Sequence, residues 1–86
     1  MEMNMVQQAI NALLTYGIYW FSGNTSHGDW LCKQVRARGI DCYFEPVGFE
    51  FENVLYLHSK FTHDQVVNIA GRRIRAREEN VKEPDF

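Results

Sequence analysis

Residues 40–58 read IDCYFEPVGFEFENVLYLH, and the way the two halves of this stretch pair decides the fold. Ile40, Cys42 and Phe44 alternate with Asp41, Tyr43 and Glu45, the period-two pattern of a strand with one buried face. Pro46-Val47-Gly48 has turn chemistry. Beyond it Phe49, Phe51, Leu55 and Leu57 share one phase, while Glu50, Glu52, Val54, Tyr56 and His58 take the other, so a second strand returns antiparallel as a hairpin. Placing Phe44 opposite Phe51, Cys42 opposite Asn53 and Ile40 opposite Leu55 puts both apolar sets on one face, whereas a slip of one residue sets Phe44 beside Glu50. That register predicts a four-residue loop at 46–49.

The flanking segments are read outward from this hairpin. Before it, Leu31 and Val35 lie one turn apart between Asp29 and Arg38, with Trp30 and Ala37 nearby, and Gly39 stands where a left-handed C-cap belongs. Ahead of that helix, Ile18-Tyr19-Trp20-Phe21 is large on both alternating faces, which reads as a strand covered on both sides and placed inside the sheet. Val6, Ile10, Leu13 and Leu14 form the stripe of an opening amphipathic helix that stops at Gly17. After the hairpin, Thr62 and Gln65 make a T-x-x-Q capping box, and Phe61 with Val66 a hydrophobic staple. The last helix therefore starts at Thr62 or His63 and runs through Val66, Val67, Ala70 and Ile74, weakened at Gly71 by about 1 kcal/mol relative to alanine.

These elements are α1 at 6–16, β1 at 18–21, α2 at 29–38, β2 at 40–45, β3 at 49–58 and α3 at 62–74. The expected fold is an α/β (α+β) domain, a small two-layer sandwich of order α-β-α-β-β-α. Its three-stranded mixed sheet would hold a right-handed parallel β1-α2-β2 crossover and a β2-β3 hairpin. A single compact domain is expected over 1–80, with a polar tail at 81–86.

Composition narrows the function classes without choosing one. At 86 residues the domain has few side chains to spare, and its six Phe, four Tyr and two Trp must supply much of the core. Nine Lys and Arg against eleven Asp and Glu leave a net charge of −2, neither the basic excess of a general nucleic-acid binder nor the acidic excess of a DNA mimic. Met1-Glu2 opens the chain without the basic region of a signal peptide, so a cytoplasmic protein with reduced thiols at Cys32 and Cys42 is expected. No apolar segment reaches the roughly 18 residues that span a bilayer.

The stretch YWFSGNTSHGDW, 19–30, joins β1 to α2 and offers one candidate site. A turn leaving a strand and entering a helix presents backbone N–H groups and the positive end of the helix dipole, so Ser22, Gly23, Asn24, Thr25 and Ser26, with the residues up to Gly28, form a candidate anion site for a phosphate or nucleotide. The competing reading has Thr25 or Ser26 as the N-cap of α2, with Asp29 complementing the dipole. The Gly23-Asn24-Thr25 triplet after a strand is similar to the flavin phosphate loop of flavodoxins over about ten residues. A doubly wound sheet of that family needs roughly 50 more residues than this chain has. The β-loop-α-β layout with RARGIDCYFEP resembles the start of a glutaredoxin-type fold, but positions 24–27 hold Asn, Thr, Ser and His where that chemistry needs a cysteine.

Other chemistry is thinner. His58 and His63 have the second-half spacing of a zinc finger, yet Cys32 and Cys42 lack the first-half spacing, so no metal and no cofactor are expected. No catalytic constellation stands out, and the chain is read as a non-enzyme. Two surfaces remain. Lys33, Arg36 and Arg38 on α2, with Arg72, Arg73, Arg75 and Arg77 on α3, would combine into a basic ridge for RNA or a ribonucleoprotein if both helices lay on one side of the sheet. Tyr43 and Tyr56 on the face opposite Phe44, with Phe49 at the hairpin tip, would form an apolar patch for a protein partner or a homodimer unless α1 covers it. The aromatic supply favours the second: a non-catalytic binding module that modulates a larger macromolecular partner. Compact chains of this size are common among small phage or mobile-element inhibitors.

Overall fold

The computed structural model describes residues 4–47 and 52–76 in full and the backbone of 77 and 78. Along the chain run α1 (Met5–Tyr16), β1 (Ile18–Ser22), α2 (Thr25–Ala37), β2 (Cys42–Pro46), β3 (Glu52–Leu57) and α3 (His63–Glu78). The strands form one sheet in the order β1-β3-β2.

Both pairings are antiparallel, which corrects the expected mixed sheet and its parallel crossover. β1 and β2 each pair with β3, so they point the same way but are separated by it. The physical reason lies in Val54-Leu55-Tyr56-Leu57, an unbroken apolar run such as a strand covered on both faces requires. Asn53 to Tyr56 are all buried. β1, placed inside the sheet by its large residues, is covered on both faces but sits at an edge. β2 takes the other edge, where Pro46 costs no ladder bond.

The hairpin register also differs from expectation. Cys42 stands opposite Leu57, Phe44 opposite Leu55 and Pro46 opposite Asn53, a shift that keeps every side chain on its expected face while lengthening the connection to 47–51. Val47 N–H donates to the Glu52 carbonyl at 3.3 Å at the neck of that connection. Ile40 lies ahead of the strand, and Phe49 and Phe51 lie outside the described residues.

Helices cover both faces, so the expected two-layer sandwich is a three-layer one. On the first face Ala9 and Leu13 of α1 and Leu31, Cys32 and Val35 of α2 meet Phe21, Cys42 and Leu55, with Tyr19 and Phe44 packed against them. On the second, Ile18, Val54 and Tyr56 meet Val66 of α3, flanked by Trp20 and Phe61. Two layers would leave Ile18, Trp20, Val54 and Tyr56 in water, and α3 prevents this.

The helix ends follow local chemistry. Asn4 caps α1, accepting from the Gln7 N–H, and Gly17 closes it at φ 80° with its N–H on the Leu13 carbonyl. The capping box of α3 is formed in both directions: Thr62 N–H donates to Gln65 Oε1 at 2.8 Å, and Gln65 N–H to Thr62 Oγ1 at 3.1 Å. Thr62→Ala is expected to cost about 1 kcal/mol, read as a lower urea midpoint at unchanged slope. The buried face of α3 is Val66, Ile69, Ala70 and Ala76, while Val67, expected in the core, is 47% exposed.

Candidate functional site

The sheet's second face is uncovered at the β2 edge, and there four side chains meet. Tyr43 projects from β2 and is 42% exposed. Its ring stacks on His58, just past the end of β3, at 4.8 Å between centroids and 15° between planes. Tyr56, its neighbour across the ladder, meets it edge-on at 5.8 Å. From α2 the Arg36 guanidinium lies 5.5 Å from the Tyr43 centroid, held by an Nε–H bond of 2.7 Å to the Cys42 carbonyl. That bond also occupies a carbonyl of the edge strand β2.

His58 is fixed on its other side by Asp41, whose carboxylate meets the imidazole Nε2. This hydrogen bond is the main reason the Asp41 carboxyl lies below its ordinary value, aided by the charges of His58 and Arg36. A lowered carboxyl favours the folded state above the unfolded value, and that contribution fades as pH falls through the lowered value. Asp41 is therefore ionised at neutral pH. Tyr56, almost fully buried, has its hydroxyl pushed up by burial first and by Glu45 and Tyr43 next. Across the same face, His63 of α3 lies 3.4 Å from Glu45. A shallow depression lined by Arg36, Gly39, Ile40 and Asp41 opens beside the stack.

The arrangement is an aromatic platform with one cation, Arg36, and two carboxylates, Asp41 and Glu45, at its margins. Among the described residues no group of three or more His, Cys, Asp or Glu could hold a metal ion. His58 and His63 each face a separate carboxylate.

Of the expected apolar patch, only Tyr43 is presented. Tyr56 is 3% exposed beneath it, covered by α3 and its approach rather than by α1, and Phe49 lies outside the described residues. The basic ridge is divided because α2 and α3 pack on opposite faces. Arg36 is drawn to Tyr43, Lys33 pairs with Asp29 at 3.0 Å, and Arg38 donates to the Gln34 carbonyl. On α3, Arg72 and Arg75 are exposed, Arg73 lies 4.4 Å over the Trp20 ring, and the Arg77 side chain lies outside the described residues.

The 22–28 loop is shorter than it reads. Asn24, not Thr25 or Ser26, is the N-cap: its carboxamide accepts the His27 N–H at 2.7 Å, and α2 begins at Thr25. Asp29 falls in the second turn, where Lys33 takes it. The Gly23 carbonyl accepts from the buried Asn53 Nδ2 at 2.6 Å, tying the loop to β3. Ser22, Gly23, Asn24, Thr25 and Ser26 thus form a capped turn with its backbone partly committed.

Sequence reasoning missed Asp41 and His58 as partners. Extending the observed ladder by one step from Cys42–Leu57 sets them opposite each other, so the register was the signal. No known protein family, no curated protein and no solved structure matches this chain.

Proposed function

We propose that this protein is a non-catalytic binding module that docks on a larger protein partner through the Tyr43 stack at the β2 edge. The observation behind this reading is that Tyr43 is exposed and yet immobilised, by His58 on one ring face, Tyr56 at its edge and Arg36 alongside. Tyrosine and arginine are the usual interface anchors, and an anchor already fixed in its bound rotamer gives up little entropy on docking. Chains that act by covering a partner's surface, as small inhibitors of the phage type do, need only such a patch.

Charge argues for protein over nucleic acid. Asp41 and Glu45 flank the platform, Arg36 is its one cation among the described residues, and the remaining arginines are split between two faces. Phosphates approaching the stack would meet carboxylates.

The test is affinity capture from a cell extract with and without nuclease, followed by titration of the identified partner at low and high salt. Tyr43→Ala is expected to weaken binding about tenfold, equivalent to about 1.4 kcal/mol. Wild-type capture should survive nuclease, and its Kd should change little with salt. Capture abolished by nuclease, or a Kd that collapses with salt and depends on Arg72 and Arg75 rather than Tyr43, would make the protein an RNA or ribonucleoprotein binder instead.

A further inference from the structure

Directly behind the Arg36–Tyr43 contact lie the chain's two cysteines. Cys32 on α2 and Cys42 on β2 are both buried, with their sulfurs 3.8 Å apart. The Cys32 thiol is directed at the Cys42 carbonyl at 3.7 Å, the same oxygen that anchors Arg36. Burial alone would make two inert core thiols. Their proximity changes that.

The hydrogen bond from Cys42 lowers the Cys32 thiol to about 7, with the Arg36 charge acting in the same direction and burial and Asp29 opposing. The Cys42 thiol is driven up, by that same hydrogen bond first and by burial next. The two titrate as a pair in which one sulfur carries the charge and the other keeps the proton. This is the division of labour between an attacking and a resolving thiol.

We infer that Cys32 and Cys42 are a dithiol that a peroxide closes into an intramolecular disulfide, and that closure displaces the Arg36–Tyr43 contact. The Cys32 thiolate attacks one peroxide oxygen and the O–O bond breaks. Hydroxide leaves and takes up a proton as water, and Cys32 becomes a sulfenic acid. The Cys42 sulfur then attacks the Cys32 sulfur, the S–O bond breaks, and the departing hydroxide takes the Cys42 proton. Two thiols and one hydrogen peroxide give one disulfide and two waters. Hydrogen peroxide is little larger than water, and Cys32 as a residue is 6% exposed.

Bonding brings the sulfurs from 3.8 Å to about 2.05 Å. It also draws the Cys32 sulfur, 3.7 Å from the Cys42 carbonyl in the reduced protein, toward the Cys42 sulfur. Either change moves the acceptor that holds Arg36 over Tyr43. The thiol chemistry is independent of what the stack binds.

The experiment uses the wild-type chain. Reduced protein is exposed to hydrogen peroxide near neutral pH, denatured in excess iodoacetamide and weighed by intact mass spectrometry. The expected product is monomeric, lighter by the two hydrogens lost, unalkylated, and returned to two alkylatable thiols by dithiothreitol. Two alkylated thiols after exposure, a disulfide-linked dimer or a sulfinic acid as main product would overturn the proposal. Amide and ring signals of Tyr43 and His58, compared in reduced and oxidised samples, read the transmission. They are expected to shift, and unchanged signals in a fully oxidised sample would overturn the link to the stack. Both readouts come from wild-type protein, so the folding of cysteine variants does not enter.

Discussion

Leu55→Ala is expected to remove about 3 kcal/mol of stability, within the range of about 2 to 5 for a leucine deleted from a packed core. Leu55 is fully buried at the middle of the central strand, with Tyr19 of β1 opposite it on one side and Phe44 of β2 on the other. It belongs to the cluster that includes Ala9 and Leu13 of α1 and Leu31 and Val35 of α2. Five elements thus meet at one side chain, and none of them can collapse into the gap without leaving another contact. A chain of 86 residues has a total stability of about 4 to 13 kcal/mol, so the loss is a large share of it. Urea unfolding followed by far-UV circular dichroism decides the matter. A midpoint within error of wild type would mean that the central-strand packing is wrong.

That central position is where reading the sequence reached its limit. The alternation Phe49, Phe51, Leu55, Leu57 suggests a strand with one buried face, and a one-sided strand belongs at an edge beside its hairpin partner. The signal that decided otherwise was Val54-Leu55-Tyr56-Leu57, apolar at four consecutive positions and covered on both sides. Of the two strands covered on both faces, β3 carries the longer buried run and lies at the centre, with β1 at the edge. β1 supplied the second neighbour, which displaced the parallel crossover. Parity survived the error, because a register shift by an even number leaves every side chain on its own face. The shared face of Cys42, Phe44, Leu55 and Leu57 was therefore legible, while the cross-strand partners were not.

The candidate site was legible to the same partial degree. Tyr43 was identified because it opposes the Phe44 face, and of Tyr43 and Tyr56 it is the exposed one. Tyr56 shares that face but belongs to the central strand, where α3 and its approach bury it. Whether a helix covers a face is a tertiary fact that periodicity does not carry. The division of the arginines has the same origin, since α2 and α3 each show an exposed basic side and only the layer order tells which sides meet. Local signals fared better: the reciprocal Thr62–Gln65 cap depends on four residues in sequence and forms as read.

Gly28→Ala is expected to destabilise the protein by about 2 kcal/mol although it replaces glycine within a helix, where alanine is ordinarily better by about 1 kcal/mol. The reason is space. A β-carbon at Gly28 would stand 2.3 Å from both Cε1 and Cζ of Phe44, and 3.1 Å from Cδ1. Gly28 is buried in α2 where that helix crosses β2, and the Phe44 ring lies against it with Phe21 6.3 Å behind. The methyl group must either push α2 off the sheet or turn the ring out of the first-face core. Overpacking of this kind costs about 1 to 3 kcal/mol, and the upper end, less the helix gain, leaves the expected loss. The interpretation rests on the sign in a second background. With Phe44→Ala in place the obstruction is gone, and adding Gly28→Ala should then stabilise by about 1 kcal/mol through helix propensity alone. A double-mutant cycle by urea unfolding gives both numbers, and a coupling near zero would show that α2 and β2 do not approach at Gly28 and Phe44. The same close approach brings Cys32, one turn further along α2, against Cys42. Prying the helix away at Gly28 should therefore also slow disulfide closure by peroxide, linking a packing variant to the thiol pair through one rigid contact.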